Sequence, residues 1–235
     1  MKKQIPNLIT LANLLSGVLA SLFAAQGWLD RAALFICLGI FFDFFDGMAA
    51  RLLDVASPLG KELDSLADVV TSGVAPGLIL YNYLNYLLAD FSLWCGYIAF
   101  LMPLFAAYRL AKFNLDTRQS HSFLGLPVPA NALFWVGLAL WNWWPQPKMV
   151  FALLLIGFSL FTNILMVSEL PMFSLKFNFK DMSWKTNAVQ YLFLLVCVAI
   201  VAVCFATHIF WLSISFIILW YILLSILTRK HSNAH

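Results

Sequence analysis

The sequence predicts an all-α fold: a polytopic membrane helical bundle of about eight transmembrane helices, with both termini cytoplasmic. The first observation is composition, since 63% of the 235 residues are hydrophobic and 11% are charged, whereas a soluble domain is roughly half apolar and a quarter charged. The second is the length of the apolar runs, and the third is the distribution of basic residues. The net charge of +3 is too small to indicate a nucleic-acid partner.

A membrane-spanning helix needs roughly 20 mostly apolar residues, and eight stretches approach this requirement. The first follows "MKKQIPNLIT" and has no cleavage pattern, so we interpret it as an uncleaved helix. Longer polar connections lie at 114–126 and 168–187, and a turn near Thr207–His208 divides the last two stretches. We expect the whole chain, 1–235, to form a single integral membrane domain. The predicted spans are about 8–26, 32–51, 60–83, 91–113, 127–144, 149–167, 188–207 and 209–228.

The basic residues predict the orientation, because cytoplasmic loops carry an excess of lysine and arginine. With both termini in the cytoplasm, only Arg31 and Lys148 fall outside. The aromatic clusters "YNYLNY" (81–86) and "WNWW" (141–144) then fall at outer helix ends, where aromatic rings favour the interface. The basic residues placed inside are Lys2, Lys3, Arg51, Lys61, Arg109, Lys112, Arg118, Lys176, Lys180, Lys185, Arg229 and Lys230.

Four acids interrupt the second and third predicted helices. Asp43 and Asp46 are three residues apart near the end of one helix, and Asp64 and Asp68 are four apart near the start of the next. Each pair shares a helix face. Because a short connection makes the two helices an antiparallel hairpin, we expect all four carboxylates to converge just inside the cytoplasmic surface.

Four neighbouring carboxylates cannot all stay ionised in a partly dry site without cations. Two divalent metal ions, Mg²⁺ or Mn²⁺, suit an all-oxygen site and would neutralise them. Two-metal sites are typical of phosphoryl chemistry. Gly47 and Ala50 leave room for a phosphate on the same helix, and Arg51 supplies a planar set of donors for it.

The same acids and small residues are also compatible with roles that involve no phosphoryl chemistry. Acids in a membrane helix can pair with lysine, and small residues can serve close helix packing. A cation transporter is a distant alternative, but transporters place acids near the bilayer midplane on interrupted helices. Here all four acids lie toward one end.

The segment "DFFDGMAARLLDVASPLGKELDSLAD" resembles the CDP-alcohol phosphotransferase (phosphatidyltransferase) family. That family carries D-x2-D-G-x2-A-R-x8-G-x3-D-x3-D, and every fixed position is matched between Asp43 and Asp68. The resemblance implies a catalytic core of six helices, about 1–167. Two additional C-terminal helices, about 188–228, lie outside it.

Two further stretches resemble the phosphatidylserine synthase branch of this family. These are "IPNLITLANLLSG" (5–17) and "YRLAKFN" (108–114) followed by "FLGLPVPA" (123–130). The usual form of the second stretch has arginine where this chain has Lys112. The resemblance implies transfer of a phosphatidyl group from CDP-diacylglycerol to the hydroxyl of L-serine, with release of CMP. Sister enzymes that use glycerol 3-phosphate, inositol phosphate or choline are the alternative.

The resemblance also implies roles for single residues. Asp43, Asp46, Asp64 and Asp68 would bind the metals, and Asp68 would also act as the general base. It further implies a homodimer. From the distribution of basic residues we expect the active site to face the cytoplasm from the cytoplasmic (inner) membrane, and from the small net charge we expect no nucleic-acid partner. The residues expected at CDP-diacylglycerol are Gly47, Ala50, Arg51 and Ser57, with Asn7 and Thr10 as further candidates.

Several of these candidates have a simpler alternative. Asn7 and Thr10 could instead cap the first helix. Arg109 and Lys112 could bind the serine carboxylate or a donor phosphate, since guanidinium pairs with carboxylate at two points. They could equally be anchoring residues at the cytoplasmic surface that contact lipid headgroups.

Overall fold

The computed structural model describes residues 2–89, 93–116, 124–141, 146–172 and 184–232. Over these residues the chain forms eight helical segments at the predicted positions, which confirms the all-α membrane bundle. The turn predicted near Thr207–His208 is present, and His208 has a φ of 60°. The helices are α1 (Ile5–Ala25), α2 (Leu29–Leu52), α3 (Pro58–Leu87), α4 (Leu93–Phe100 with Leu101–Leu115), α5 (Val128–Trp141), α6 (Lys148–Val167), α7 (Trp184–Ala206) and α8 (Leu212–Ser232).

Six of the helices in the described part of the chain are long and apolar enough to cross a membrane. The exceptions are α5 and the apolar part of α8, Leu212–Thr228. Because α5 has 14 residues, it is about 21 Å long, which is less than the roughly 30 Å of a bilayer core. The chain is thus a polytopic integral membrane protein, in which the described apolar portions of α5 and α8 are shorter than those of the other six helices.

Helices α3 and α4 each contain a segment that is not α-helical. Residues Val69–Val74 of α3 form a π-helical segment, which the sequence analysis did not predict. Such segments are rare and occur frequently at functional sites. This one begins directly after Asp68. The first part of α4, Leu93–Phe100, is a 3-10 helix, so only Leu101–Leu115 has α-helical geometry.

Small residues allow α1, α2 and α3 to approach closely at one point. A Cβ atom added to Gly17 of α1 would lie 2.8 Å from the Cα of Thr71 in α3. One added to Gly39 of α2 would lie 2.9 Å from Oδ1 of Asn13. Helices in membranes associate through such small-residue contacts because they have little hydrophobic driving force. The contact sets the spacing of the three helices that carry or flank the acids.

The last two helices differ in their packing. Of the apolar window of α7, only 11% is buried against the rest of the protein, so most of this helix is left to contact lipid. In contrast, α8 packs on α5, where the Ser215 hydroxyl donates to the carbonyl of Phe134 at 2.7 Å. A Cβ on Gly137 would lie 2.8 Å from the backbone nitrogen of Ser215. The division into a six-helix core and two added helices stays a prediction.

Some predicted features lie outside the described residues. They include Arg118, Lys176 and Lys180 of the predicted cytoplasmic set, and residues 142–144 of the "WNWW" cluster.

We predict that Gly17→Ala lowers the thermal unfolding midpoint in detergent, because the backbone of Thr71 leaves no room for the added carbon. Overpacking of this kind costs about 1–3 kcal/mol. Gly157→Ala in α6 is the matched control, since a Cβ there meets nothing within 4 Å. Equal midpoints for the two variants would contradict this account of the packing.

Candidate active site

The connection between α2 and α3 brings the two pairs of acids together. Helix α2 ends at Leu52, and Asp54 follows in a left-handed conformation with a φ of 52°. Ser57 then caps α3, because its hydroxyl accepts a hydrogen bond from the backbone N–H of Gly60 at 3.1 Å. Pro58 occupies the first turn, where its missing N–H has no cost. A short, well-capped connection therefore holds the hairpin that the sequence predicts.

Three of the four carboxylates meet between α2 and α3. One oxygen from each of Asp43, Asp64 and Asp68 lies within 4.8 Å of the others. The carboxyl groups of Asp43 and Asp64 are also direct electrostatic neighbours. Oδ1 of Asp64 is buried and has no hydrogen-bond partner in the described part of the chain. The convergence predicted from helical spacing is therefore confirmed for these three acids.

The fourth acid, Asp46, lies beside this cluster. It is buried, and its Oδ2 accepts a hydrogen bond of 2.5 Å from the hydroxyl of Thr10 in α1. Asp46 is three residues from Asp43, about 4.5 Å along the helix axis. Its hydrogen bond with Thr10 directs its carboxylate toward α1. Asp46 thus lies beside the carboxylate cluster and, like Asp64, lines the pocket described below.

Asp68 is held by a hydrogen-bond chain that the sequence analysis did not assign. The Thr71 hydroxyl donates to Oδ1 of Asn13 at 2.8 Å, and Nδ2 of Asn13 donates to Oδ1 of Asp68 at 3.3 Å. The Thr71 contact fixes the amide so that it presents N–H groups to the carboxylate. The sequence does contain a pattern that indicates a role for Asn13. Asn7, Thr10 and Asn13 recur every three residues and share one face of α1.

An open pocket lies next to the acids, with a volume of about 240 Å³. This is too small for a lipid with two acyl chains, so it suits a head group whose chains remain outside. Among the described residues, the pocket brings together all six that the sequence analysis expected at the lipid donor. Its lining includes Asn7, Thr10, Asp46, Gly47, Ala50, Arg51, Ser57, Gly60, Lys61 and Asp64.

The capping alternative for Asn7 and Thr10 is wrong. Helix α1 begins at Ile5, so both residues lie within it, and no side chain caps its first turn. Thr10 bonds Asp46 instead, and Asn7 faces Gly60, where an added Cβ would lie 3.2 Å from Oδ1 of Asn7. Both side chains therefore face the pocket.

Arg51 and Ser57 combine structural contacts with access to the pocket. Nε of Arg51 donates to the carbonyl of Gly47 at 2.9 Å. The two terminal nitrogens of this exposed side chain take no part in that hydrogen bond and can donate to a ligand. The Ser57 hydroxyl caps α3. As an oxygen with a donor proton and two acceptor sites, it can do so and still meet a ligand.

The surface-anchoring alternative is wrong for Arg109. This side chain is only 8% exposed, so it cannot serve as a headgroup contact. It interacts electrostatically with Asp68 and with Tyr221 of α8, and its guanidinium carbon lies 5.5 Å from the centre of the Phe113 ring. A buried arginine beside the cluster provides a fixed positive charge near the acids.

Lys112 lies farther toward the surface. Its ammonium group forms an ion pair of 3.4 Å with Glu169, which is more than half exposed. It also donates to the carbonyl of Val167 at 3.4 Å. These contacts direct Lys112 toward the end of α6, and a substrate would have to replace them.

The carboxylate cluster fits a divalent cation. Hard cations take carboxylate oxygens as ligands, and three such oxygens are already within reach of one point. The unpartnered Oδ1 of Asp64 is also an atom that a cation would satisfy. Asp43, Asp64 and Asp68 could hold one ion, with Asp46 adjacent for a second.

Comparison with known proteins agrees with this geometry. The family model described as CDP-alcohol phosphatidyltransferase matches residues 3–173, more than half of the chain. The match includes the acids, the pocket and Arg109, and it ends before α7.

Curated relatives are similar in sequence to this chain over long stretches. A CDP-diacylglycerol–serine O-phosphatidyltransferase of Bacillus subtilis is 42% identical over 125 residues, 53% of this chain and 69% of the relative. One of Helicobacter pylori strain J99 is 35% identical over 198 residues, 82% and 78% of the two chains. An archaetidylserine synthase of Methanothermobacter thermautotrophicus is 29% identical over 175 residues, 71% and 68%. The chain therefore belongs to the CDP-alcohol phosphatidyltransferase family and is a transferase.

Proposed function

We propose that this protein is a CDP-diacylglycerol–serine O-phosphatidyltransferase, which transfers the phosphatidyl group of CDP-diacylglycerol to the hydroxyl of L-serine. The observation that carries the proposal is the cluster of Asp43, Asp64 and Asp68 next to an open head-group pocket. The names of the relatives support serine as the acceptor. A cation transporter does not agree with the family.

The pocket supports binding of the donor head group. Gly47 and Ala50 present almost no side chain on the face of α2 that lines it, so a phosphate can approach the helix closely. Arg51 can supply the charged donors that a phosphate needs. Asn7, Thr10 and Ser57 provide amide and hydroxyl groups for the nucleotide. The acyl chains would then extend into the surrounding bilayer.

Asp68 is proposed as the general base. It is 8% exposed, and one oxygen is occupied by Asn13, which leaves the other to accept a proton. In the proposed step Asp68 removes the proton of the serine hydroxyl. The serine oxygen attacks the phosphorus that bears diacylglycerol, the bond from that phosphorus to CMP breaks, and CMP leaves.

Members of this family use divalent metals, and we propose that Asp43, Asp46, Asp64 and Asp68 hold two ions, Mg²⁺ or Mn²⁺. When bound, such ions neutralise the carboxylates and stabilise charge on the phosphate. The residues themselves supply the preformed oxygen cluster and its orientation through Thr10 and Asn13.

The surroundings of Arg109 favour serine over a phosphorylated acceptor. A phosphate group would need additional basic residues near the acids. Within the described residues Arg109 is buried beside Asp68, whereas Lys112 is paired with Glu169. One arginine suits the single carboxylate of serine. Glycerol 3-phosphate, inositol phosphate and choline remain the alternatives to be tested.

We further propose that the site faces the cytoplasm from the inner membrane, as the basic residues predict, and that the protein is a homodimer, as its family implies. Asp46 and Asp64 line one pocket together with the basic side chains of Arg51 and Lys61. Lys61 also bonds the carbonyl of Asn114 at 3.0 Å, which ties the start of α3 to the end of α4. Mass measurement in nanodiscs tests the dimer.

The direct test of the proposed function is CMP release by purified protein from CDP-diacylglycerol with a panel of alcohols. We expect L-serine to support turnover and glycerol 3-phosphate, inositol phosphate and choline to fail. Chelation should abolish turnover, and added Mn²⁺ or Mg²⁺ should restore it. Preference for another acceptor would refute the serine assignment, and full activity in metal-free chelator would refute the metal requirement.

Cation binding can be measured without activity. We predict that Asp43→Asn and Asp64→Asn each weaken Mn²⁺ binding by about tenfold or more, as titrated by electron paramagnetic resonance, because each removes a charged ligand from the cluster. Glu62→Gln, an exposed acid on the same helix as Asp64, is the control and should bind like the unmodified protein. Unchanged binding in both cluster variants would place the cations elsewhere.

The role of Asp68 as base makes a separate prediction. Asp68→Asn keeps the shape of the side chain and one oxygen ligand but cannot accept a proton at neutral pH. Turnover should fall by about 10²–10⁴-fold while CDP-diacylglycerol and Mn²⁺ binding stay within a few-fold. Near-normal turnover would show that the base is another group. Loss of both cation and donor binding would show that Asp68 acts mainly as a ligand.

A further inference from the structure

The head-group pocket contains a lysine that the proposed reaction does not use. Lys61 lies in the first turn of α3 and lines the pocket together with Arg51 of α2. Lys112 is paired with Glu169, whereas Lys61 has no carboxylate within ion-pair distance among the described residues. Its positive charge is therefore available to an anionic ligand.

A closed ring of three hydrogen bonds holds Lys61 in place. Its ammonium group donates to the backbone carbonyl of Asn114 in α4 at 3.0 Å. The side-chain amide of Asn114 donates to the hydroxyl of Ser65 at 2.9 Å. That hydroxyl in turn donates to the backbone carbonyl of Lys61 at 3.2 Å. This group of three residues, called here the lysine ring, joins α3 to α4 and limits the positions that the lysine side chain can adopt.

The lysine ring leaves most of the ammonium group's hydrogen-bonding capacity unused. An ammonium group has three N–H donors, and one of them bonds Asn114. The other two have no protein partner in the part of the chain that the structure describes. A backbone carbonyl orients the ammonium group without neutralising it. A positioned charge with two free donors suits the oxygens of a phosphate, which lysine commonly binds.

The position of Lys61 along α3 places it beside the acids. Asp64 follows three residues later, about 4.5 Å along the helix axis, and lines the same pocket. Asp68 follows after a further turn of the same helix and is more deeply buried. Because α2 and α3 form a hairpin, Arg51 approaches the pocket from the other side. A phosphate next to the acids would thus have one basic side chain from each helix.

We propose that Lys61 binds the diphosphate of the lipid donor together with Arg51, and that Asn114 and Ser65 hold it in position to do so. The proposal rests on the proposed function and adds a second phosphate-binding side chain to the donor site. Each phosphate of CDP-diacylglycerol carries a negative charge, so a single guanidinium balances only part of the total. Asn114, the last residue of the "YRLAKFN" stretch, thereby acquires a role as a positioning residue.

A bilayer lipid offers the same phosphate chemistry as the donor. Lys61 is exposed, and basic residues at a cytoplasmic surface attract anionic lipid headgroups. Two observations favour the donor. The side chain lines the head-group pocket, and its ammonium group is fixed to α4 rather than left to extend freely along the membrane surface. The experiment must therefore separate the two sources of phosphate.

The test compares Lys61→Met with the control Lys148→Met in the CMP-release assay, in nanodiscs of phosphatidylcholine. Lys148 has the same charge, but its ammonium group lies 4.8 Å from the centre of the Tyr86 ring and lines no part of the pocket. Lys61→Met should raise KM for CDP-diacylglycerol about tenfold or more, because a hydrogen bond between charged groups is lost, and change KM for L-serine less than about twofold. Lys148→Met should leave both values unchanged. Lys61→Arg, which keeps the charge, should keep the donor KM within about threefold.

Competition by soluble nucleotides identifies the group that Lys61 contacts. In Lys61→Met the inhibition constant of CDP should rise about tenfold, whereas that of cytidine, which has no phosphate, should stay within about twofold. Ser65→Ala opens the lysine ring but keeps the lysine. It should weaken inhibition by CDP about threefold and leave inhibition by cytidine unchanged. Equal losses for CDP and cytidine would indicate a purely structural role and overturn the proposal.

A measurement without turnover covers a variant that is inactive. CDP should raise the thermal unfolding midpoint of the unmodified protein and of Lys148→Met, but much less that of Lys61→Met or, if this variant does not accumulate, of Lys61→Gln. Unchanged CDP binding in the Lys61 variants would overturn the role of Lys61 alone. So would an effect that is seen only in nanodiscs containing anionic phosphatidylglycerol. Failure of the unmodified protein to release CMP from CDP-diacylglycerol would overturn the proposed function as well.

Discussion

The arrangement depends on one constraint: several carboxylates must be held together inside an apolar helical bundle, where an unpaired charge is costly. The protein meets the constraint by bringing Asp43, Asp64 and Asp68 within 4.8 Å of one another, a spacing that favours a shared cation. The remaining contacts near the cluster are hydrogen bonds from uncharged groups, together with the charge of Arg109. An apolar bundle with an acidic centre is thereby suited to a reaction between a lipid and a water-soluble molecule.

Helix α1 carries no acid, yet it orders the site. Thr10 directs Asp46 toward the pocket and Asn13 directs Asp68 toward the cluster. Gly17 allows α1 to lie against Thr71, the residue that in turn orients Asn13. Packing and chemistry are therefore coupled, because the close approach of α1 and α3 also supplies the hydrogen-bond chain to the proposed base. The π-helical segment Val69–Val74 includes Thr71 and changes the register of α3 directly after Asp68.

Much of the fold and of the candidate site could be predicted from the sequence. The lengths of the apolar runs located the helices, and the spacing of the four acids located the hairpin of α2 and α3. Asn13 was missed, although its three-residue spacing from Thr10 is visible, because a single asparagine in an apolar run has no distinctive pattern. Arg109 was named as a candidate from the sequence, but its burial could not be predicted, since burial depends on which helices surround α4. The π-helical segment and the hydrogen bond between Lys61 and Asn114 likewise depend on tertiary packing.

The central claim is that the acids between α2 and α3 bind the divalent cations of a phosphatidyl transfer reaction. The most direct measurement is anomalous X-ray scattering from crystals of the protein grown with Mn²⁺ and a CDP-containing donor analogue. The account predicts manganese peaks at the carboxylates of Asp43, Asp46, Asp64 and Asp68, with the cytidine head group in the pocket lined by Gly47 and Arg51. Manganese bound only at surface acids, with the cluster empty and the donor elsewhere, would contradict it.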